Sequence, residues 1–170
     1  PMKGMGEGFI EPTLRVSDTT QITREGFDLE LAKAPGETPD HIVVWLAAQK
    51  TLFSGDNFYH AFPNLYAIRG TAYRDFDAWA DTMDQLMAYA PDVLCPGHTQ
   101  PVIGADAIRT ALTYYRDAIR YVVSETVKGM NAGLDPVTIA ADLKLPADLA
   151  SKPYLQEFYG HVGYASRAYF

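Results

Sequence analysis

The chain of 170 residues carries 14 basic and 21 acidic side chains, a formal net charge of −7, and is 48% hydrophobic. That apolar content fills the core of one domain or slightly more, which excludes a disordered or fibrous chain. The acidic balance, with no basic run, excludes a nucleic-acid partner. The longest apolar runs, such as residues 42–48, fall far short of the roughly 20 residues of a membrane-spanning helix, so no membrane span and a soluble protein are expected. One cysteine, Cys95, rules out an internal disulfide framework and leaves the compartment open, the cytoplasm being favoured over the periplasm. Proline at position 1 suggests a processed or excised chain.

In chain order, residues 1–8 read as an irregular entry and residues 13–16 as a short strand. Residues 27–31 alternate strictly, with Phe27, Leu29 and Leu31 on one face and Asp28 and Glu30 on the other, as in a half-buried strand. Two prolines and a glycine then force a loop across residues 34–40. Residues 42–46 form an apolar run suited to a strand covered on both faces, and Gln49-Lys50 reads as a hairpin tip into a strand at residues 51–53. Asp75 is placed to cap a helix whose apolar positions are Phe76, Trp79, Met83 and Leu86. Residues 92–95 are a short strand running into Pro96-Gly97-His98.

After Gly104 the pattern is helical. Ile108, Leu112, Tyr115, Ile119, Val122, Thr126 and Met130 make one apolar stripe of roughly seven turns, which Gly133 is placed to stop. Asp135-Pro136 opens a short helix as N-cap and first helical residue, and Lys152-Pro153 opens a last, aromatic helix carrying Tyr154, Phe158, Tyr159 and Val162. The chain therefore divides into a strand-rich part, residues 1–103, and an all-helical part, residues 104–170.

Three polar residues sit where chemistry is commonly placed, on turns that leave strands. Asp56 follows the strand at 51–53, His98 follows the strand at 92–95, and Glu37 lies in the 34–40 loop. A histidine on a turn is more often a surface residue than a ligand, and Asp56 in Ser-Gly-Asp-Asn can be a turn former only. The three turns leave the same edge of the predicted sheet, however, and Glu, Asp and His together suit zinc or a similar divalent ion. An aromatic loop with Phe58, Tyr59, Phe62 and Tyr66 follows Asp56 directly. Cys95 is flanked by apolar residues and reads as an inert buried thiol.

The segments Ala34-Pro35-Gly36-Glu37-Thr38-Pro39-Asp40, Leu52-Phe53-Ser54-Gly55-Asp56-Asn57 and Val93-Leu94-Cys95-Pro96-Gly97-His98 resemble the C-terminal half of the metallo-β-lactamase fold hydrolases. Asn64-Leu65-Tyr66-Ala67-Ile68-Arg69-Gly70 narrows the resemblance to the alkyl sulfatase branch, and Met130-Asn131-Ala132-Gly133-Leu134 and Tyr154 to Gly160 extend it into the helical part. The resemblance implies an α/β fold, the C-terminal half of an αββα sandwich, followed by a helical dimerisation region at residues 104–170. It implies Glu37, Asp56 and His98 as ligands in a two-zinc site, with Asp56 bridging the ions. Asn64 and Arg69 would grip a sulfate, with Asp56 and Arg69 as the catalytic pair. Tyr66 and Arg74 would line the substrate pocket, and Tyr59 and His60 its wall.

The superfamily's His-x-His-x-Asp-His segment is not found in these residues. The resemblance therefore implies an incomplete zinc site in this chain and a partner in a missing N-terminal half of the catalytic domain. The function expected is hydrolysis of small alkyl sulfate esters to alcohol and inorganic sulfate by a homodimer. The alternatives are a non-catalytic structural or dimerising fragment, or a hydrolase of another ester such as a thioester, lactone or phosphoester.

Overall fold

The computed structural model describes residues 10–66 and 73–170. Six strands form one sheet in sequence order: β1 (Thr19–Arg24), β2 (Phe27–Lys33), β3 (Ile42–Leu46), β4 (Thr51–Gly55), β5 (Val93–Pro96) and β6 (Val102–Ile103). Every neighbouring pair is antiparallel except β4 and β5, which run parallel. A parallel pair needs a long crossover. Helix α1 (Phe76–Ala88) supplies it, capped by the Asp75 carboxylate, which accepts from the Ala78 N–H at 3.0 Å.

Residues 13–16 are not a strand; the edge strand lies further on, at β1. The reason is pairing. Glu25 and Gly26 both take positive φ and make the two-residue turn that folds β1 onto β2, with Ile22 opposite Leu29 and Thr20 opposite Leu31.

The two faces of the sheet differ. Directly paired residues share a face, so Ala32 with Val43, and Trp45 with Leu52, define the inner one. Helix α1 lies on it: Thr82 donates to the Pro35 carbonyl at 2.6 Å, Gln85 to the Lys33 carbonyl at 3.0 Å, and the Tyr89 ring sits 5.4 Å from Trp45. The opposite face carries the apolar residues of the alternation in β2 and is open to solvent. Phe27 is 48% and Phe53 43% exposed, and they line a shallow apolar groove with Leu29, Val44 and Leu46. So β2 is half-buried through Ala32 rather than through Phe27, Leu29 and Leu31. Strand β3 is covered on the Val43 side only.

Helix α2 (Ala105–Asn131) packs along α1, and Gly133 at φ 74° ends it as the spacing requires. Buried Ile108, Leu112, Tyr115, Ile119 and Val122 join Trp79, Met83 and Leu86 of α1 and Leu52 and Leu94 of the sheet in one core. Each such side chain, fully removed from water, contributes about 1.5–3 kcal/mol. Helices α3 (Pro136–Asp142), α4 (Ala147–Ala150) and α5 (Val162–Tyr169) complete the chain. Asp135 caps α3 as expected, accepting from Val137 and Thr138. The last helix is shorter than the sequence suggests: residues 153–155 make one 3-10 turn, residues 156–161 are irregular, and α5 starts at Val162. No helix among the described residues is long and apolar enough to cross a membrane.

Four charges tie α1 to α2. Arg116 bonds Asp84 at 2.6 Å, and Arg120 bonds Asp81 at 2.8 Å and Asp84 at 3.0 Å. Partial burial pushes the Asp84 carboxyl up, but hydrogen bonds and charge from Arg116 and Arg120 outweigh it and hold its pKa below the ordinary 3.8. A carboxylate depressed on folding stabilises the fold above its unfolded pKa and loses that contribution as pH falls through the folded value. Melting temperature is therefore expected to drop below about pH 4, and less steeply in Asp84→Asn, when the two proteins are scanned from pH 6 to pH 3. Equal slopes would remove this carboxylate from the acid transition.

Candidate active site

The site begins with the parallel pair β4 and β5, whose C-terminal ends lie side by side. The Gly97 N–H donates to the Gly55 carbonyl at 2.8 Å and binds the two turns together. Asp56 and His98 follow those strands, and the His98 Nδ1 lies 2.7 Å from the Asp56 Oδ1. His98 is 75% exposed at its side chain. Position 97 must be glycine for this geometry, because a Cβ there would run into the Asp56 carboxylate.

Glu37 is placed by Asn57, the residue that follows Asp56. Asn57 is buried; its Nδ2 donates to the Ala34 carbonyl at 2.7 Å, and its Oδ1 accepts from the Glu37 N–H at 3.0 Å. Its own carbonyl accepts from Trp79 Nε1 at 2.9 Å. The 34–40 loop is thus pinned across the end of β4 to helix α1. The only sequence signal for this was a second polar residue beside Asp56.

The Glu37 carboxylate does not stand open. Arg74 Nη1 donates to one of its oxygens at 3.0 Å and Nη2 to the other, the two-pronged fit of a guanidinium on a carboxylate. Arg74 Nη1 also donates to the Asn64 carbonyl. The side chains are 8% (Arg74) and 17% (Glu37) exposed. Arg74 therefore joins the Glu37 loop to the Asn64 loop from inside.

Asn64 is buried, and its N–H donates to the Tyr59 hydroxyl at 2.6 Å. Burial drives the Tyr59 hydroxyl pKa well up, so it stays a neutral phenol. Among the described residues the buried Asn64 Oδ1 has no hydrogen-bond partner. Tyr66 is half-buried with the Tyr164 ring edge-on at 5.5 Å. The His60 N–H donates to the Thr99 hydroxyl at 3.2 Å, which brings this loop to the turn of His98. Arg69 lies outside the described residues.

The structure thus brings Asp56 to His98, and Glu37 to Arg74 and Asn64. Among the described residues no group of three or more His, Cys, Asp or Glu side chains is arranged to hold a metal ion. Asp56 and His98, a carboxylate and an imidazole at a solvent-facing edge, fit two positions in the shell of a divalent ion. They do not complete one, and Glu37 is engaged by a cation of the protein itself.

This architecture, a sheet layered with helices on one face and polar turns gathered at the ends of its central strands, has known counterparts. The model of the metallo-β-lactamase superfamily matches residues 4–98. A linear primary-alkylsulfatase of Pseudomonas sp. (strain ATCC 19151) is 38% identical over 161 residues, covering 94% of this chain and 30% of that protein. An (R)-specific secondary-alkylsulfatase of Pseudomonas sp. is 37% identical over 151 residues, 86% of this chain and 23% of that protein. The solved structure of the stereoselective inverting sec-alkylsulfatase Pisa1 from Pseudomonas sp. superposes with a TM-score of 0.88 at 34% identity, over 94% of this chain and 26% of that one. The chain belongs to the metallo-β-lactamase superfamily, in its alkylsulfatase branch. It spans under a third of the length of these curated relatives.

Proposed function

We propose that the whole protein hydrolyses small alkyl sulfate esters to an alcohol and inorganic sulfate. The observation that carries this reading is the likeness to alkylsulfatases across the stretch that sets the Asp56–His98 pair beside the Asn64 loop. Asp56 and His98 would hold zinc together with donors from elsewhere in the whole protein. Glu37 would join them once its carboxylate is exchanged from Arg74. Zinc, when bound, supplies a hydroxide at neutral pH and neutralises developing negative charge. Asn64 and Arg69 grip the sulfate, Arg69 as a planar fork for a tetrahedral oxyanion, and Tyr66 and Arg74 line the pocket.

The open apolar face of β2, β3 and β4 supports a further part of the proposal: a second layer, the N-terminal half of the catalytic domain, covers it and completes the sandwich. A face bearing two half-exposed phenylalanines is costly to leave in water. On this reading residues 1–103 belong to the catalytic domain, and residues 104–170 carry the contact of a homodimer. A second reading, in which this chain serves only as a structural or dimerising piece, draws on the engagement of Glu37 by Arg74.

The test is release of inorganic sulfate from octyl sulfate by the whole protein. Release should stop with a chelator and return with zinc, and Arg69→Ala should lower kcat by roughly 100-fold, as removal of a charged transition-state contact does. If no chain length gives chelator-sensitive release, the substrate is another ester or the structural reading holds.

A further inference from the structure

We infer that His41 is a positioning residue of the metal site: its imidazole holds the turn that carries Asp56, and its backbone closes the loop that carries Glu37. This rests on the reading of Asp56 and His98 as ligands of a divalent ion, and it gives His41 a role exercised through another residue rather than by ligation.

Residues 54–57 make a tight turn, closed by the Asn57 N–H on the Ser54 carbonyl at 3.3 Å. Gly55 and Asp56 are its two central residues. Gly55 takes φ 53°, a left-handed conformation that any side chain disfavours. The direction of the Asp56 carboxylate therefore depends on what grips this turn from outside.

His41, half-buried just before β3, grips it from the neighbouring strand. Its Nε2 lies 2.9 Å from the Ser54 carbonyl. A carbonyl oxygen only accepts, so Nε2 carries the proton and donates it. The carbonyl that closes the turn thus receives two donors, one from Asn57 and one from His41. The ring also sits against Gly55, where a Cβ would come within 2.7 Å of Nε2 and 2.8 Å of Cε1. Glycine at 55 serves both the backbone conformation and the seat of the imidazole.

The other jaw is the turn of His98. The Gly97 N–H donates to the Gly55 carbonyl at 2.8 Å, and the Asp56 carboxylate meets His98 Nδ1 at 2.7 Å. With His41 removed, the peptide between Ser54 and Gly55 loses its hold on the β3 side, and the carboxylate moves with it.

The same residue closes the Glu37 loop. The Ala34 N–H donates to the His41 carbonyl at 2.8 Å, and the His41 N–H donates to the Thr38 carbonyl at 3.3 Å. Glu37 lies inside that loop, and its N–H is bonded by Asn57 at the end of the Asp56 turn. His41 is therefore the joint between the two loops. Packing alone would accept an apolar side chain there; the N–H donor is what the turn uses. Fixing a ligand's direction before the ion arrives leaves less to be ordered on binding, and so raises affinity.

The experiment strips the whole protein of metal and measures zinc affinity by competition with a chelating indicator, so no turnover is required. His41→Leu should bind zinc roughly 10–100-fold more weakly, the range for losing an outer partner of a metal ligand. His41→Gln, whose amide offers an N–H at about the reach of Nε2, should regain most of that affinity. Glutamine is not among the usual zinc ligands, so this rescue separates positioning from direct ligation. Asp56→Ala is the reference for loss of the ligand itself. If His41→Leu melts below the assay temperature, His41→Asn, whose amide stops short of the Ser54 carbonyl, takes its place. Wild-type zinc affinity in that folded variant, beside a loss in Asp56→Ala, overturns the inference and leaves the metal reading standing. Equal losses in the glutamine and leucine variants overturn it too, because the hydrogen bond then has no part in the effect. Unchanged affinity in Asp56→Ala removes the metal reading, and the inference with it.

Discussion

Replacing Arg74 with alanine is expected to cost about 3–5 kcal/mol of folding stability, the range for stripping one partner from a buried ion pair. Glu37 would keep its carboxylate with little solvent to replace the guanidinium, since the two side chains are 17% and 8% exposed. The Asn64 carbonyl would lose its donor as well. Urea unfolding should show the loss as a lower midpoint at unchanged slope. The double variant Arg74→Met/Glu37→Leu should recover more than half of it, because the buried charge leaves with its partner. A loss below about 1 kcal/mol would mean the pair behaves as a surface salt bridge, and the Glu37 and Asn64 loops would then be held by other contacts. The same pair bears on chemistry: any ion that uses Glu37 competes with a guanidinium already seated on both its oxygens.

Asn57 carries the second large expected effect. Asn57→Ala removes the donor to the Ala34 carbonyl and the acceptor for the Glu37 N–H, two backbone groups with no other partner supplied by the substitution. Leaving a buried polar group unpaired costs about 1–3 kcal/mol, so a combined loss of roughly 2–5 kcal/mol is expected. Asn57→Asp keeps an acceptor for Glu37 but turns a carboxylate oxygen toward the Ala34 carbonyl, and it should recover little of the loss. Denaturant unfolding of the three proteins checks this. If alanine is tolerated, the 34–40 loop is held by the Thr82 and Trp79 contacts to helix α1 instead.

Local signals account for what the residue order determined by itself. Helix ends were legible because caps act within three or four residues: Asp75 before α1, Asp135-Pro136 at α3 and Gly133 after α2 each do what their chemistry dictates. The positions of Asp56 and His98 at strand ends were legible for a similar reason, since a glycine turn after a short apolar run leaves little choice. The resemblance to alkyl sulfatases rested on such short segments, and the relatives agree with it.

What tertiary structure alone decided depends on partners distant in sequence. Alternation in β2 separates two faces, but only the packing of α1 shows that Ala32, not Phe27 and Leu29, turns toward the core. A period of two specifies that the faces differ; it carries no information on which is covered. Arg74 and Glu37 are 37 residues apart, and no local pattern pairs them. Nothing local singles out Asn57, because its partners, Ala34 and Glu37, lie in another loop. The break before α5 falls where the Gly160 backbone meets the carbonyls of Phe62 and Pro63, roughly a hundred residues upstream, too closely for any Cβ. Helical spacing from Tyr154 to Val162 is real, and a long-range contact overrides it because a docked backbone outweighs the propensity of a few residues.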